Sequence, residues 1–286
     1  MAVKPRDALE PNNRGIAGRR AEKPEERVAL GPVGGNSSGF RNLAGKENGE
    51  WTAGPSLVVH GMIWTFIVAL ISVAVAFFRG EMEPGYTPKD INDAGALMFF
   101  VLGSVASVIA VVAKTQGAII GEKQLGTAAW VLSKPASRRA FVLAKLAVHF
   151  RWLLAVTLLF PAVVFYGLMT AVSTLPPPPL HFLGGLAILA LGLLFYLALS
   201  LLLGTVFESR GPLAGSVFGF MVGGFMIASY APWLTAAFPW LFFQSGYYLV
   251  TRGEIPAYGL ISIPATALWS VLFVFLALRG FERAEL

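Results

Sequence analysis

Apolar residues along this chain do not alternate with polar ones; they run. From residue 57 onward, stretches of mostly apolar residues recur, each apolar on every face, with shorter polar stretches between them. A helix rises about 1.5 Å per residue, so about 20 such residues cover the roughly 30 Å hydrocarbon core of a bilayer. A membrane barrel would instead show alternating segments of about 10 residues. The pattern predicts six spanning helices: Leu57–Phe78, Ala94–Ala113, Trp152–Leu175, Leu180–Phe207, Pro212–Tyr230 and Ala257–Leu278. The expected fold is all-α, a polytopic membrane protein with six transmembrane helices.

One further apolar stretch, 231–250, is broken by Pro232 and Pro239. Proline removes a backbone donor, which a regular span cannot spare. This stretch is expected to form short helices re-entering the outer leaflet, with Trp233, Trp240, Tyr247 and Tyr248 as interfacial anchors. A seventh full span is the alternative, since membrane helices tolerate proline.

Residues 1–39 hold no apolar run and are rich in Gly, Pro, Arg and Glu, which predicts a disordered, solvated tail. No short apolar core with a cleavage site follows the basic start, so a secretory signal is not expected. Local acids nearly balance local bases there, and no nucleic-acid partner is expected. Residues 40–286 form the expected transmembrane domain. It opens with an interfacial helix at 40–52 that would set Phe40, Leu43 and Trp51 among lipid headgroups.

Composition supports the membrane reading. Of 286 residues, 56% are hydrophobic and 13% charged, against about 45–50% and 25% in soluble domains. With no cysteine, disulfide frameworks and thiolate metal sites are excluded. The net charge of +6 is unevenly placed: with six helices alternating, 19 of the 22 Lys and Arg fall on the side of the two termini. The positive-inside bias puts that side, and both termini, in the cytoplasm. Ionisable side chains are almost absent from the apolar runs, which disfavours an ion-coupled carrier. There is no His-Glu-x-x-His, Gly-x-Ser-x-Gly or Walker A pattern, which disfavours an enzyme and ATP binding by this chain.

The most informative polar segment is 114–151, with seven basic residues and one acid, Glu122. Apolar positions near 118, 125, 128, 129 and 132 follow helical spacing. The run Ser133-Lys134-Pro135-Ala136-Ser137 predicts a turn, and Ser137 an N-cap for a helix at 138–150. The segment reads as a helix–turn–helix lying along the membrane.

Glu122, Gly126-Thr127, Leu132-Ser133-Lys134-Pro135-Ala136-Ser137-Arg138-Arg139 and Ala144-Lys145 together resemble the cytoplasmic signature of type-2 ABC transporter permeases. The proline-broken aromatic segment before the last span and the ending Arg279-Gly280-Phe281-Glu282-Arg283 are similar to that family too. The resemblance implies a type-2 ABC exporter permease fold in a prokaryotic plasma membrane, with 114–151 as a coupling-helix loop docking on a separate cytosolic ATPase. Glu122, Gly126, Thr127, Pro135, Ser137 and Arg138 would carry that coupling, Glu122 by pairing with a basic group on the ATPase or on this chain. No catalysis and no cofactor are expected in this chain; ATP and magnesium would be bound by the partner ATPase. The other reading of these charges is a solvated membrane-surface helix.

Gly211, Gly215, Gly219 and Gly223 recur every four residues, as do Gly103 and Ser107, giving stripes that permit close helix approach. Packing within one chain and a dimer face lining a translocation path both fit. The resemblance implies a second permease copy, as homodimer or paired heterodimer. A path lined by Phe99, Phe100, Phe218, Phe220, Met221 and Met226 would suit a lipid-like or amphipathic cargo. A membrane scaffold without an ATPase partner is the remaining alternative.

Overall fold

The structure, a computed structural model, describes residues 39–83, 85–124 and 137–283. Their regular structure is helical throughout. Helix α1 (Phe40–Thr52) precedes α2 (Ser56–Met82), α3 (Pro88–Ala118) and the short α4 (Ile120–Gln124). Then come α5 (Arg138–Ser173), α6 (Pro179–Val206), α7 (Arg210–Tyr230), α8 (Phe242–Arg252) and α9 (Ala257–Arg283). Among the described residues, six helices (α2, α3, α5, α6, α7 and α9) are long and apolar enough to cross a membrane. This is the fold of a multi-pass membrane protein.

Polar contacts at the two ends of the bundle define its up-and-down course. At one end, Lys145 of α5 meets Glu47 of α1, and Arg139 of α5 meets Glu282 of α9. At the other, the Asn92 side-chain amide of α3 donates to the Leu175 carbonyl, and the Ser173 hydroxyl donates to Asn92 Oδ1 at 2.9 Å. So α1 and the end of α9 share one end of the bundle.

Helices extend past the apolar runs where local signals allow. A capping box of Thr87 and Asp90 starts α3 six residues before its apolar run, and Pro88 sits in the first turn. Ser137 caps α5 by accepting from the Ala140 amide at 3.0 Å. From there α5 continues unbroken to Ser173, through a π-turn at Ala155–Leu159. The expected surface helix at 138–150 is therefore corrected: it is the first part of the third long helix. No breaker separates Phe150 from Trp152, so hydrogen bonding continues through.

Segment 231–250 forms no span-length helix. Two short 3-10 turns, Pro232–Ala237 and Pro239–Leu241, lead into the 11-residue α8. Trp233 is exposed, but Trp240 is buried against Phe220 and Phe238, so it is a packing residue rather than an interfacial anchor. Likewise Leu43 and Trp51 of α1 are buried, not spread in headgroups; of the three expected anchors only Phe40 is exposed.

The centre is built by glycines admitting large neighbours. Phe99, Phe165 and Phe182 cluster with ring centroids 4.6–5.8 Å apart. A Cβ on Gly185 would lie 2.5 Å from Phe100, and one on Gly246 2.6 Å from it. Gly103 faces Leu189, Leu158 and Val68. Val68 and Leu158 lie in the π-turns of α2 and α5, where the widened turn shifts the helix register. Gly103 and Ser107 are thus buried inside one chain, which corrects their expected place on a dimer face. Phe99 and Phe100 are fully buried core residues, which corrects their expected place along a path. On α7, by contrast, a Cβ at Gly211, Gly215, Gly219 or Gly223 would meet nothing within 4 Å.

Gly185→Ala is expected to destabilise by about 1–3 kcal/mol through overpacking against Phe100. Gly215→Ala should be neutral or stabilise by up to about 1 kcal/mol, since alanine favours helix and has room here. Unfolding midpoints of the two variants in detergent check this contrast.

Candidate functional site

Helix α1 buries Leu43, Glu47 and Trp51, spaced four apart, and so turns a carboxylate onto its packed face. The partner is Lys145 of α5, itself 1% exposed. Its Nζ lies 2.6 Å from Glu47 Oε1 and 3.3 Å from Glu122 Oε1. Glu122, in α4, also takes Lys46 of α1 at 2.6 Å, and Lys46 reaches Glu50 at 3.7 Å. Glu122 therefore stands between two ammonium groups from different helices. Of the two sources of a basic partner for Glu122, the structure supplies the one on this chain.

Around this centre the polar groups interlock. The Trp51 indole N–H donates to His149 Nδ1 at 3.0 Å. That bond leaves the ring proton on Nε2, which faces Glu47 Oε2 at 3.7 Å. Asn48 Oδ1 accepts from the Arg151 guanidinium and from the Trp152 indole. Lys114, at the end of α3, lies over the Trp51 ring at 4.5 Å and donates to Ser56 Oγ at 3.5 Å. One set of contacts thus ties α1, α2, α3, α4 and α5.

Buried ion pairs are expensive to break, because the remaining charge stays desolvated. Burial pushes the Glu47 carboxyl above its ordinary value, with Lys145 opposing. For Lys46 burial acts downward, but the hydrogen bond and charge of Glu122, with Glu47 and Glu50 behind them, raise it overall. One oxygen each of Glu47, Glu50 and Glu122 lie within 4.8 Å of one another, a spacing a metal ion could use. Lys46 and Lys145 already place their ammonium groups against these carboxylates, so the cluster meets its cations within the chain.

Both flanks of segment 125–136 are held. On the near side, Gln124 donates to the Glu208 carbonyl at 2.9 Å. On the far side, Arg138 donates to the Glu282 carbonyl at 2.6 Å, Arg139 pairs with the Glu282 carboxylate, and Phe141 stacks on Phe281 at 4.9 Å. Among the expected coupling residues, Glu122, Ser137 and Arg138 fall in these flanks. Gly126, Thr127 and Pro135 lie outside the described residues.

Beside the network is a cavity of about 350 Å³. Trp51, Lys114, Gly117, Glu122, Lys145 and Arg210 are among its walls. Sequence reading had no reason to join Glu47 to Lys145, 98 residues apart. A signal was present: Glu47 occupies the same helical stripe as Leu43 and Trp51, where an apolar residue would be expected.

Residues 57–286 match the family described as "Protein of unknown function (DUF2705)". No curated protein matches the chain.

Lys145→Met is expected to destabilise by about 3–5 kcal/mol, because Glu47 is left buried and unpaired. Adding Glu47→Met should recover most of that loss in a double-mutant cycle on unfolding midpoints. Lys46 has a raised pKa, so its contribution is full below the ordinary value of 10.5 and fades as pH climbs through the higher folded value. The midpoint gap between wild type and Lys46→Met should hold steady near neutral pH and close above pH 10.5.

Proposed function

Since this chain belongs to the DUF2705 family, whose function is unknown, we propose a role from its own residues: the membrane permease of an ATP-driven type-2 ABC exporter. In this reading a separate cytosolic ATPase binds and hydrolyses ATP. Loop 114–151 docks on it, and two permease copies form the path. Both termini face the cytoplasm, in a prokaryotic plasma membrane. The substrate is lipid-like or amphipathic.

The observation that carries this reading is how the docking segment is anchored. Glu122, the acid of the motif, is held by Lys46 of α1 and Lys145 of α5. Arg138 and Arg139 tie the other flank to the end of α9. Movement of these flanks would therefore reach three helices through short, charged contacts. The motif residues Gly126, Thr127, Pro135 and Ser137 supply the resemblance, and the six long helices are in keeping with it.

A second support is the open glycine stripe of α7, whose exposed face suits a close crossing with another copy. The ion-coupled carrier fits less well. The ion pairs among the described residues gather at the ends of the long helices, where mid-membrane carboxylates would be needed.

The test is to look for an ABC ATPase reading frame beside the gene and to co-express its product with this chain, followed by pull-down and ATPase assay. Wild type should capture the ATPase and alter its turnover. Glu122→Ala and deletion of Pro135 should weaken both readouts. Unchanged capture and turnover in both variants would remove the coupling role. Gly219→Leu should reduce the dimer fraction in detergent, and a wild-type size distribution would count against the paired path.

A further inference from the structure

We propose that the cavity beside the α1–α5 network binds a phosphate group, borne by an anionic lipid headgroup or free in solution. This goes beyond the export reading and does not depend on an ATPase partner.

The charge distribution around the cavity carries the inference. Three carboxylates, Glu47, Glu50 and Glu122, face two ammonium groups here, Lys145 meeting Glu47 and Glu122, and Lys46 meeting Glu122 and Glu50, so it takes the next two cations to make the group positive. Two further cations line the same space, Lys114 at the end of α3 and Arg210 at the start of α7. Among the described residues neither has a carboxylate within the 4.0 Å of an ion pair. Lys114 is half-buried with its ammonium over the Trp51 ring; the acid that acts on it, Glu50 in the same cavity wall, does so from beyond ion-pair distance.

An anion between the two would satisfy both. Phosphate oxygens accept charge-assisted hydrogen bonds from an ammonium and match the flat fork of a guanidinium. Arg210 also opens α7, where the partial positive charge of a helix start has the same sign.

Depth points to the same ligand. Lys114 directly follows the apolar run that ends at Ala113, and Arg210 precedes the run that begins at Pro212. Both therefore sit where the hydrocarbon stops and lipid phosphates begin.

The test uses the purified full-length chain in detergent and follows its unfolding midpoint with four additives. These are phosphatidylglycerol, diacylglycerol with the same tails, inorganic phosphate and magnesium chloride. Phosphatidylglycerol should raise the midpoint by roughly 5 °C at saturation, and diacylglycerol should not. If inorganic phosphate reproduces the rise, the ligand is free phosphate; if only the lipid does, it is a headgroup. The double variant Lys114→Gln/Arg210→Gln should lose the response, while Arg252→Gln at the other end of the bundle should keep it.

Gly117→Leu provides an independent check should the double variant fail to fold. Gly117 lines the cavity, and a Cβ there meets nothing within 4 Å, so leucine has room to enter the space and removes no charged group. It too should abolish the response. The proposal is overturned if no phosphate-bearing additive shifts the wild type, if the shift survives in Gly117→Leu, or if magnesium alone produces it.

Discussion

The buried contact of Lys145 with Glu47 and Glu122 is the constraint on which the charged end of this molecule depends. A lysine that is 1% exposed is tolerated only where carboxylates meet it at hydrogen-bond distance. Both carboxylates come from elements distant in sequence, one from α1 and one from α4. Their arrival fixes α1 against α5 and places α4 between them. Trp51, His149 and Asn48 then fall into their own contacts, because α1 can dock only with Glu47 pointing at Lys145.

The rest of the bundle obeys a different rule. Within lipid, apolar surface has no preference for protein over hydrocarbon tails, so close packing and satisfied polar groups decide which helices adhere. Gly185 and Gly246 admit the Phe100 ring, and Gly103 seats α3 against the π-turns of α2 and α5. Several hydroxyls within the helices are returned to their own backbone. Ser107 donates to the Gly103 carbonyl at 2.7 Å, Thr157 to Leu153 at 2.7 Å and Ser270 to Thr266 at 2.8 Å. Among the described residues the Ser200 and Thr266 hydroxyls and the Trp64 and Trp240 indole N–H groups are buried without a hydrogen-bond partner, while the ion pairs gather at the ends of the long helices.

The same division explains the uneven burial of glycine stripes that look alike on paper. Gly103 and Ser107 have the four-residue spacing of Gly215 and Gly219, yet the first pair is enclosed and the second faces open space. Spacing states that one helix can approach another closely; it does not say which helix arrives. Likewise Ser137 was readable as an N-cap, but the continuity of α5 from Arg138 to Ser173 was not. A change from charged to apolar residues marks a change of solvent, and a helix can cross it without a break.

By itself, the sequence determined the number and nature of the long helices, the proline-broken stretch between α7 and α9, and the placement of charge at one end. These follow from properties each segment carries alone: twenty apolar residues need a helix in lipid, and proline lacks a donor wherever it stands. The partners of the charges belonged to the tertiary structure. Glu122 could have met any of several cations, and Glu47 gave only the hint of a carboxylate on a packed stripe. Which ammonium each carboxylate receives depends on how α1, α4 and α5 come together, and that is settled by desolvation over contacts spanning up to 98 residues.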